Sequence, residues 1–137
     1  MSTNVLVVDD EPAVGRLLSE CLSGRGFTVR VELSGQGALA ALERLMPDVV
    51  VLDLYMPGMD GVEVLREFRR RWPNRLPFGV IVLTGSRDEP LLEAALALGA
   101  FDVLLKPVNL DQLEIAVEAL ALKAARRDDN AGEPHRG

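Results

Sequence analysis

Val49-Val50-Val51-Leu52-Asp53-Leu54-Tyr55-Met56-Pro57-Gly58-Met59-Asp60-Gly61 is the stretch on which the fold turns. Four apolar residues, three of them β-branched, run straight into an aspartate, and a loop punctuated by Pro57, Gly58 and Gly61 follows. A short apolar run bounded by turn signals predicts a strand buried on both faces, as in parallel sheets. Asp53 then stands at the carboxyl end of that strand, where open α/β sheets place their ligand chemistry. Alone it reads equally well as a helix or turn cap. A charge directly after a fully apolar strand is otherwise costly unless something pairs or uses it.

Working outward, the same grammar repeats. Asn4 to Val8 is a short apolar run closed by Asp9-Asp10-Glu11. Pro12 opens a helix whose stripe is Val14, Leu17, Leu18, Cys21 and Leu22, ended by Gly24 and Gly26. Phe27 to Leu33 alternates as an edge strand, and Ala38, Leu39, Leu42, Leu45 and Met46 form a second helical stripe stopped by Pro47. Beyond the central loop, Val62, Leu65, Phe68 and Arg69 mark a third helix ending near Trp72-Pro73. Phe78 to Leu83 is a fourth strand closing at Thr84-Gly85-Ser86. A fourth helix carries Leu91, Ala94, Ala95 and Leu98 inward up to Gly99. Phe101 to Leu105 is a fifth strand closed by Lys106-Pro107. Asn109 or Asp111 caps a last helix with Leu110, Leu113, Val117 and Leu120 on one face.

Five strands alternating with five helices predict a (βα)5 doubly wound α/β fold, a five-stranded parallel sheet in the flavodoxin-like order 2-1-3-4-5. At 137 residues the chain is one domain. Residues 1–123 read as that domain and 124–137 as a polar tail or the start of a linker. A net charge of −6 argues against a nucleic-acid surface. One cysteine, Cys21, excludes an internal disulfide. No stretch approaches the roughly 18 apolar residues of a membrane span, and no signal-peptide core is present. A cytoplasmic protein without membrane or nucleic-acid contacts is expected. No P-loop or GxGxxG motif supports nucleotide binding.

Strand ends carry the chemistry: Asp9-Asp10 after the first strand, Asp53 at the third, Thr84 at the fourth, Lys106 after the fifth. Each alone has a plain structural role as cap, turn or solvated residue. The 2-1-3-4-5 order, however, brings three carboxylates, a hydroxyl and an ammonium into one cleft. Crowded carboxylates suit a hard divalent cation such as Mg²⁺, which takes oxygen ligands and works alongside phosphate. One carboxylate could then attack phosphorus to form an aspartyl-phosphate, with Thr84 and Lys106 meeting the phosphoryl oxygens.

With Val7-Val8-Asp9-Asp10-Glu11, Leu52 to Gly61, Leu83-Thr84-Gly85 and Leu105-Lys106-Pro107, residues 4 to 123 resemble the response-regulator receiver domain, the phosphoacceptor module of two-component signalling. The resemblance implies that Asp53 takes phosphate from a histidine kinase or phosphotransfer protein. It implies Mg²⁺ held by Asp10, Asp53 and the backbone carbonyl of Tyr55, with Asp9 contributing through water. It further implies Thr84 as switch hydroxyl, Lys106 on the phosphoryl group and a cis peptide before Pro107. Tyr55 and Ser86 occupy positions that tune dephosphorylation in the family; Tyr55 either shields the acyl phosphate or swings out. The family's aromatic three residues before the lysine is here Val103, so either Phe101 substitutes or the aromatic arm is missing.

Leu92 and Leu96 on the fourth helix, and Ile115 and Leu122 on the fifth, lie off the core stripes. They are either scattered exposed leucines or a partner surface, with a possible homodimer through these two helices, signalling through the helix 4–strand 5–helix 5 face. The expected function is a phosphorylation-dependent switch, the receiver part of a larger response regulator or hybrid protein, and not an enzyme acting on external substrates. The alternatives are a stand-alone single-domain regulator and an aspartyl-phosphate phosphatase. The second is disfavoured by Tyr55, which stands where such enzymes need an acid.

Overall fold

A computed structural model describes residues 3–85 and 88–131, with side chains described as far as residue 125. Chain order is β1 (Asn4–Val8), α1 (Pro12–Ser23), β2 (Thr28–Glu32), α2 (Gly35–Arg44), β3 (Val49–Asp53), α3 (Gly61–Arg71), β4 (Gly79–Thr84), α4 (Glu89–Ala97), β5 (Asp102–Leu105) and α5 (Leu110–Ala131). All strand pairs are parallel, in the order β2-β1-β3-β4-β5. The doubly wound sheet expected from the strand–helix alternation is the one observed.

Side-chain parity divides the interior into two cores. Even-numbered residues of the three central strands, Leu6, Val8, Val50, Leu52, Val80 and Val82, pack with α2, α3 and α4. Odd-numbered ones, Val5, Val7, Val49, Val51, Ile81 and Leu83, pack with α1 and α5. Every residue of β3 is buried. Each fully buried aliphatic side chain of this kind contributes about 1.5–3 kcal/mol. Phe68 and Phe78, edge to face with centroids 4.9 Å apart, anchor the α3 side.

Helix starts follow side-chain chemistry. Ser34 accepts from the Gly37 amide, Asp88 from Leu91 and Asn109 from Gln112, so Asn109 rather than Asp111 opens α5. Asp60 and Glu63 form a reciprocal capping box on α3.

Several boundaries differ from the sequence expectation. Leu17 is 49% exposed, because α1 approaches β2 along Gly15, Leu18 and Leu22. A Cβ on Gly15 would meet Val31 at 2.8 Å, so that line of small contact turns Leu17 away. Leu45 and Met46 are exposed rather than part of a helical stripe. The α2 helix stops at Arg44 and Leu45 is extended, as the approach to Pro47 favours. The Arg30 guanidinium, reaching across from β2, donates to the carbonyls of Ala41 at 3.3 Å and Leu45 at 2.8 Å and closes that helix end. Phe101 precedes β5 instead of lying in it. Helix α5 runs to Ala131, and Ala124 is buried.

Candidate functional site

The carboxyl ends of β1, β3, β4 and β5 adjoin. β1 ends at Val8, and the next amide, Asp9, donates to the Glu32 carbonyl on β2 at 3.1 Å. β3 delivers Asp53 and β4 delivers Thr84, both buried. The Lys106 amide donates to the Thr84 carbonyl at 2.8 Å, and the Lys106–Pro107 peptide is cis.

The turn after β3 is kept close by glycine. Gly61 donates to the Leu54 carbonyl at 2.9 Å, and a Cβ on Gly61 would stand 2.5 Å from the Asp53 carbonyl oxygen. Gly58 has φ +77°, a conformation glycine adopts freely. The Tyr55 amide donates to Asp53 Oδ1 at 3.2 Å, which fixes the carboxyl plane, while the Tyr55 ring is half exposed.

Lys106 gathers the carboxylates. Its Nζ lies 3.0 Å from Asp9 Oδ2, 3.4 Å from Asp53 Oδ2 and 3.3 Å from Glu11 Oε1. Asp9 and Asp53 are buried, whereas Glu11 is in water. Burial first, and the Asp9 charge second, push the Asp53 carboxyl up to about 6, against the pull of Lys106 and the Tyr55 amide. Burial disfavours the Lys106 ammonium, but its hydrogen bond and charge contacts with Asp9, Asp53 and Glu11 outweigh this and raise its pKa.

Asp9, Asp10 and Asp53 each offer a carboxylate oxygen within 4.8 Å of the others. Asp9 Oδ2 is buried with no hydrogen-bond partner beyond its ion pair with Lys106. An all-oxygen donor set of three crowded carboxylates, two of them buried, fits a hard divalent cation. The acids expected from sequence and Lys106 are therefore brought to one place, with Thr84 buried at the end of the adjoining strand.

Glu11 was not singled out from sequence. It is the N-cap residue of α1, yet its side chain makes no capping bond and turns to Lys106 instead. Glutamate is a poor N-cap, and that mismatch was the available signal. Its amide donates to Asp9 Oδ1 at 2.9 Å.

The outlying candidates divide. Phe101 sits outside β5, and its ring lies under the Lys123 ammonium of α5, with the nitrogen 4.7 Å from the ring centroid. Val103 packs against the α2–α4 core beside a groove lined by Leu92, Leu96 and Leu105. Leu96, Ile115 and Leu122 are exposed, whereas Leu92 is half-buried against the core and shows only at the groove. Ser86 lies outside the described residues.

The family model for the response regulator receiver domain matches residues 5–118. The chain belongs to that family. This receiver domain is 38% identical over 125 residues to the regulatory protein AtoC of Escherichia coli, covering 90% of this chain and 26% of that protein. It is 40% identical over 133 residues to the response regulator MprA of Mycolicibacterium vanbaalenii, covering 97% of this chain and 56% of that one. The chain thus spans between about a quarter and a little over half of these curated relatives. Among solved structures, a Clostridium thermocellum response regulator receiver domain superposes with a TM-score of 0.80 at 30% identity, covering 92% of this chain and 97% of that chain. The receiver domain of Francisella response regulator 1452 gives 0.82 at 28% identity, covering 89% and 98%. The receiver domain is a two-component signalling module, and among its described residues no helix is long and apolar enough to cross a membrane.

Proposed function

We propose that this receiver domain is a phosphorylation-controlled switch in which Asp53 accepts a phosphoryl group from a histidine kinase or phosphotransfer protein. The observation that carries the reading is the Lys106 ammonium within 3.4 Å of Asp53 Oδ2, beside the oxygen cluster of Asp9, Asp10 and Asp53. An Asp53 oxygen forms the new O–P bond while the donor's bond to phosphorus breaks and its electron pair leaves with the donor. Lys106 and Thr84 receive the phosphoryl oxygens as charge spreads over them. Asp9, Asp10, Asp53 and the Tyr55 carbonyl are the groups that would hold Mg²⁺, which when bound neutralises charge on the phosphoryl group.

Chemical turnover is confined to the domain's own acyl phosphate, and Tyr55 and Ser86 are its tuning positions. Output runs through the α4–β5–α5 face, with Leu96, Ile115 and Leu122 as the contact residues for a partner or a second copy. The domain works in the cytoplasm as part of a larger regulator. Intact mass after incubation with acetyl phosphate and Mg²⁺ tests the core of the proposal. A gain of about 80 Da, one phosphoryl group, is expected in the wild type and not in Asp53→Asn. A gain that survives the substitution would displace Asp53 as acceptor.

A further inference from the structure

Three carboxylates stand around Lys106 Nζ, at 3.0, 3.3 and 3.4 Å, and an ammonium has three N–H groups to give. A phosphoryl group on Asp53 adds three strong acceptor oxygens to the same neighbourhood. Lys106 cannot meet them without releasing one of its present partners. The three contacts are unequal. The Asp9 side chain is 0% exposed, so parting from it strands a buried charge, and Asp53, 3% exposed, carries the phosphoryl group itself. The Glu11 side chain is 62% exposed and its contact is screened by water and salt. The Glu11 contact is therefore the one that yields.

The local backbone supplies a second, independent sign. Glu11 occupies the N-cap of α1, where a shorter side chain would reach back to the free helix amides, yet it makes no such bond. Its carboxylate is spent on a lysine 95 residues away in the chain.

We propose that Glu11 is a positioning residue for Lys106: it occupies one of the ammonium's N–H groups until Asp53 is loaded, and thereby slows phosphoryl uptake. This rests on the reading of Asp53 as acceptor. In the loading step an Asp53 oxygen bonds to phosphorus, the acyl O–P bond of the donor breaks, and the electron pair departs on acetate; no proton is required. Lys106 exchanges Glu11 for a phosphoryl oxygen.

The test compares the full chain as wild type, Glu11→Gln and Glu11→Asp. Glutamine removes the charge. Aspartate keeps the charge but is one methylene shorter and an effective N-cap, so it turns to the helix amides and leaves Lys106. Uptake from acetyl phosphate with Mg²⁺ is followed by intact mass, and the Lys106 ammonium by ¹⁵N-lysine NMR. The chain has two lysines, and Lys123→Arg assigns the signals. Both variants are expected to load about two- to fivefold faster, the span of a screened ion pair. The Lys106 resonance in both should move, in the direction that beryllofluoride moves it in the wild type. Glu11→Asp loading at the wild-type rate would overturn positioning in favour of simple charge repulsion. Unchanged rates with an unmoved Lys106 resonance, in a protein that does take phosphate, would overturn it alone. A wild type that gains no phosphoryl group would overturn the acceptor reading and this inference with it.

Discussion

Asp53→Asn should make the metal-free protein more stable at neutral pH, although it removes one end of an ion pair. Burial and the Asp9 charge raise the Asp53 carboxyl from 3.8 to about 6. The unfolded chain thus releases this proton more readily than the folded one. Stability is then greatest below pH 4, falls as pH rises towards 6, and stays reduced above it. The gap corresponds to about 3 kcal/mol, at about 1.4 kcal/mol for each tenfold change in proton affinity. Asparagine abolishes that penalty. It forfeits the 3.4 Å contact with Lys106, which keeps Asp9 and Glu11, and it must house a buried amide at about 1 kcal/mol. The net gain at pH 7.5 is roughly 1–2 kcal/mol, or roughly 4–8 °C in Tm. Urea unfolding in EDTA at pH 4.0 and 7.5 measures it. The variant's advantage should be present at pH 7.5 and vanish at pH 4.0, and added Mg²⁺ should narrow it by stabilising the wild type. A variant less stable at pH 7.5, or an advantage independent of pH, would refute the reasoning.

Lys106→Met removes the ammonium that lowers the Asp53 pKa, so the Asp53 midpoint should rise above about 6, read from the ¹³C carboxyl shift; an unmoved midpoint counts against the geometry. Gly61→Ala forces a Cβ to within 2.5 Å of the Asp53 carbonyl oxygen, a backbone atom that cannot step aside. It should cost at least about 2 kcal/mol in urea unfolding, in the range for overpacked sites, and a neutral result would mean the loop is looser than described. Leu96→Glu with Ile115→Glu replaces exposed side chains, so folding should be unaffected while self-association or partner binding weakens; identical sedimentation of both proteins, with partner affinity unchanged, would remove the surface from consideration.

Part of this fold is written locally along the chain and part is not. β3 and the site residues were legible because a strand buried on both faces is written as an unbroken apolar run, and a charged or hydroxyl residue ending it stands out. The helix stripes were less so. Periodicity counts Leu17, Leu45 and Met46 as inward, but the Gly15–Val31 approach rotates α1 and Arg30 ends α2 early. Periodicity counts Leu92 as outward, yet it packs half-buried against the core. Phe101 obeyed parity only on the assumption that the strand began one residue sooner. Glu11 is hard to read because its partner is 95 residues distant, and its one local sign is a glutamate at a helix N-cap.

The sheet that separates the two cores also acts as an insulator for variation. Val50 and Val51 are neighbours in the chain, yet one is felt by α2, α3 and α4 and the other by α1 and α5. Volume lost at one is not recoverable by repacking at the other, so the two losses should add rather than compensate. Drift on the α2–α3–α4 side can therefore proceed while the α1–α5 side keeps its own fit, each half free to accumulate changes on a separate schedule.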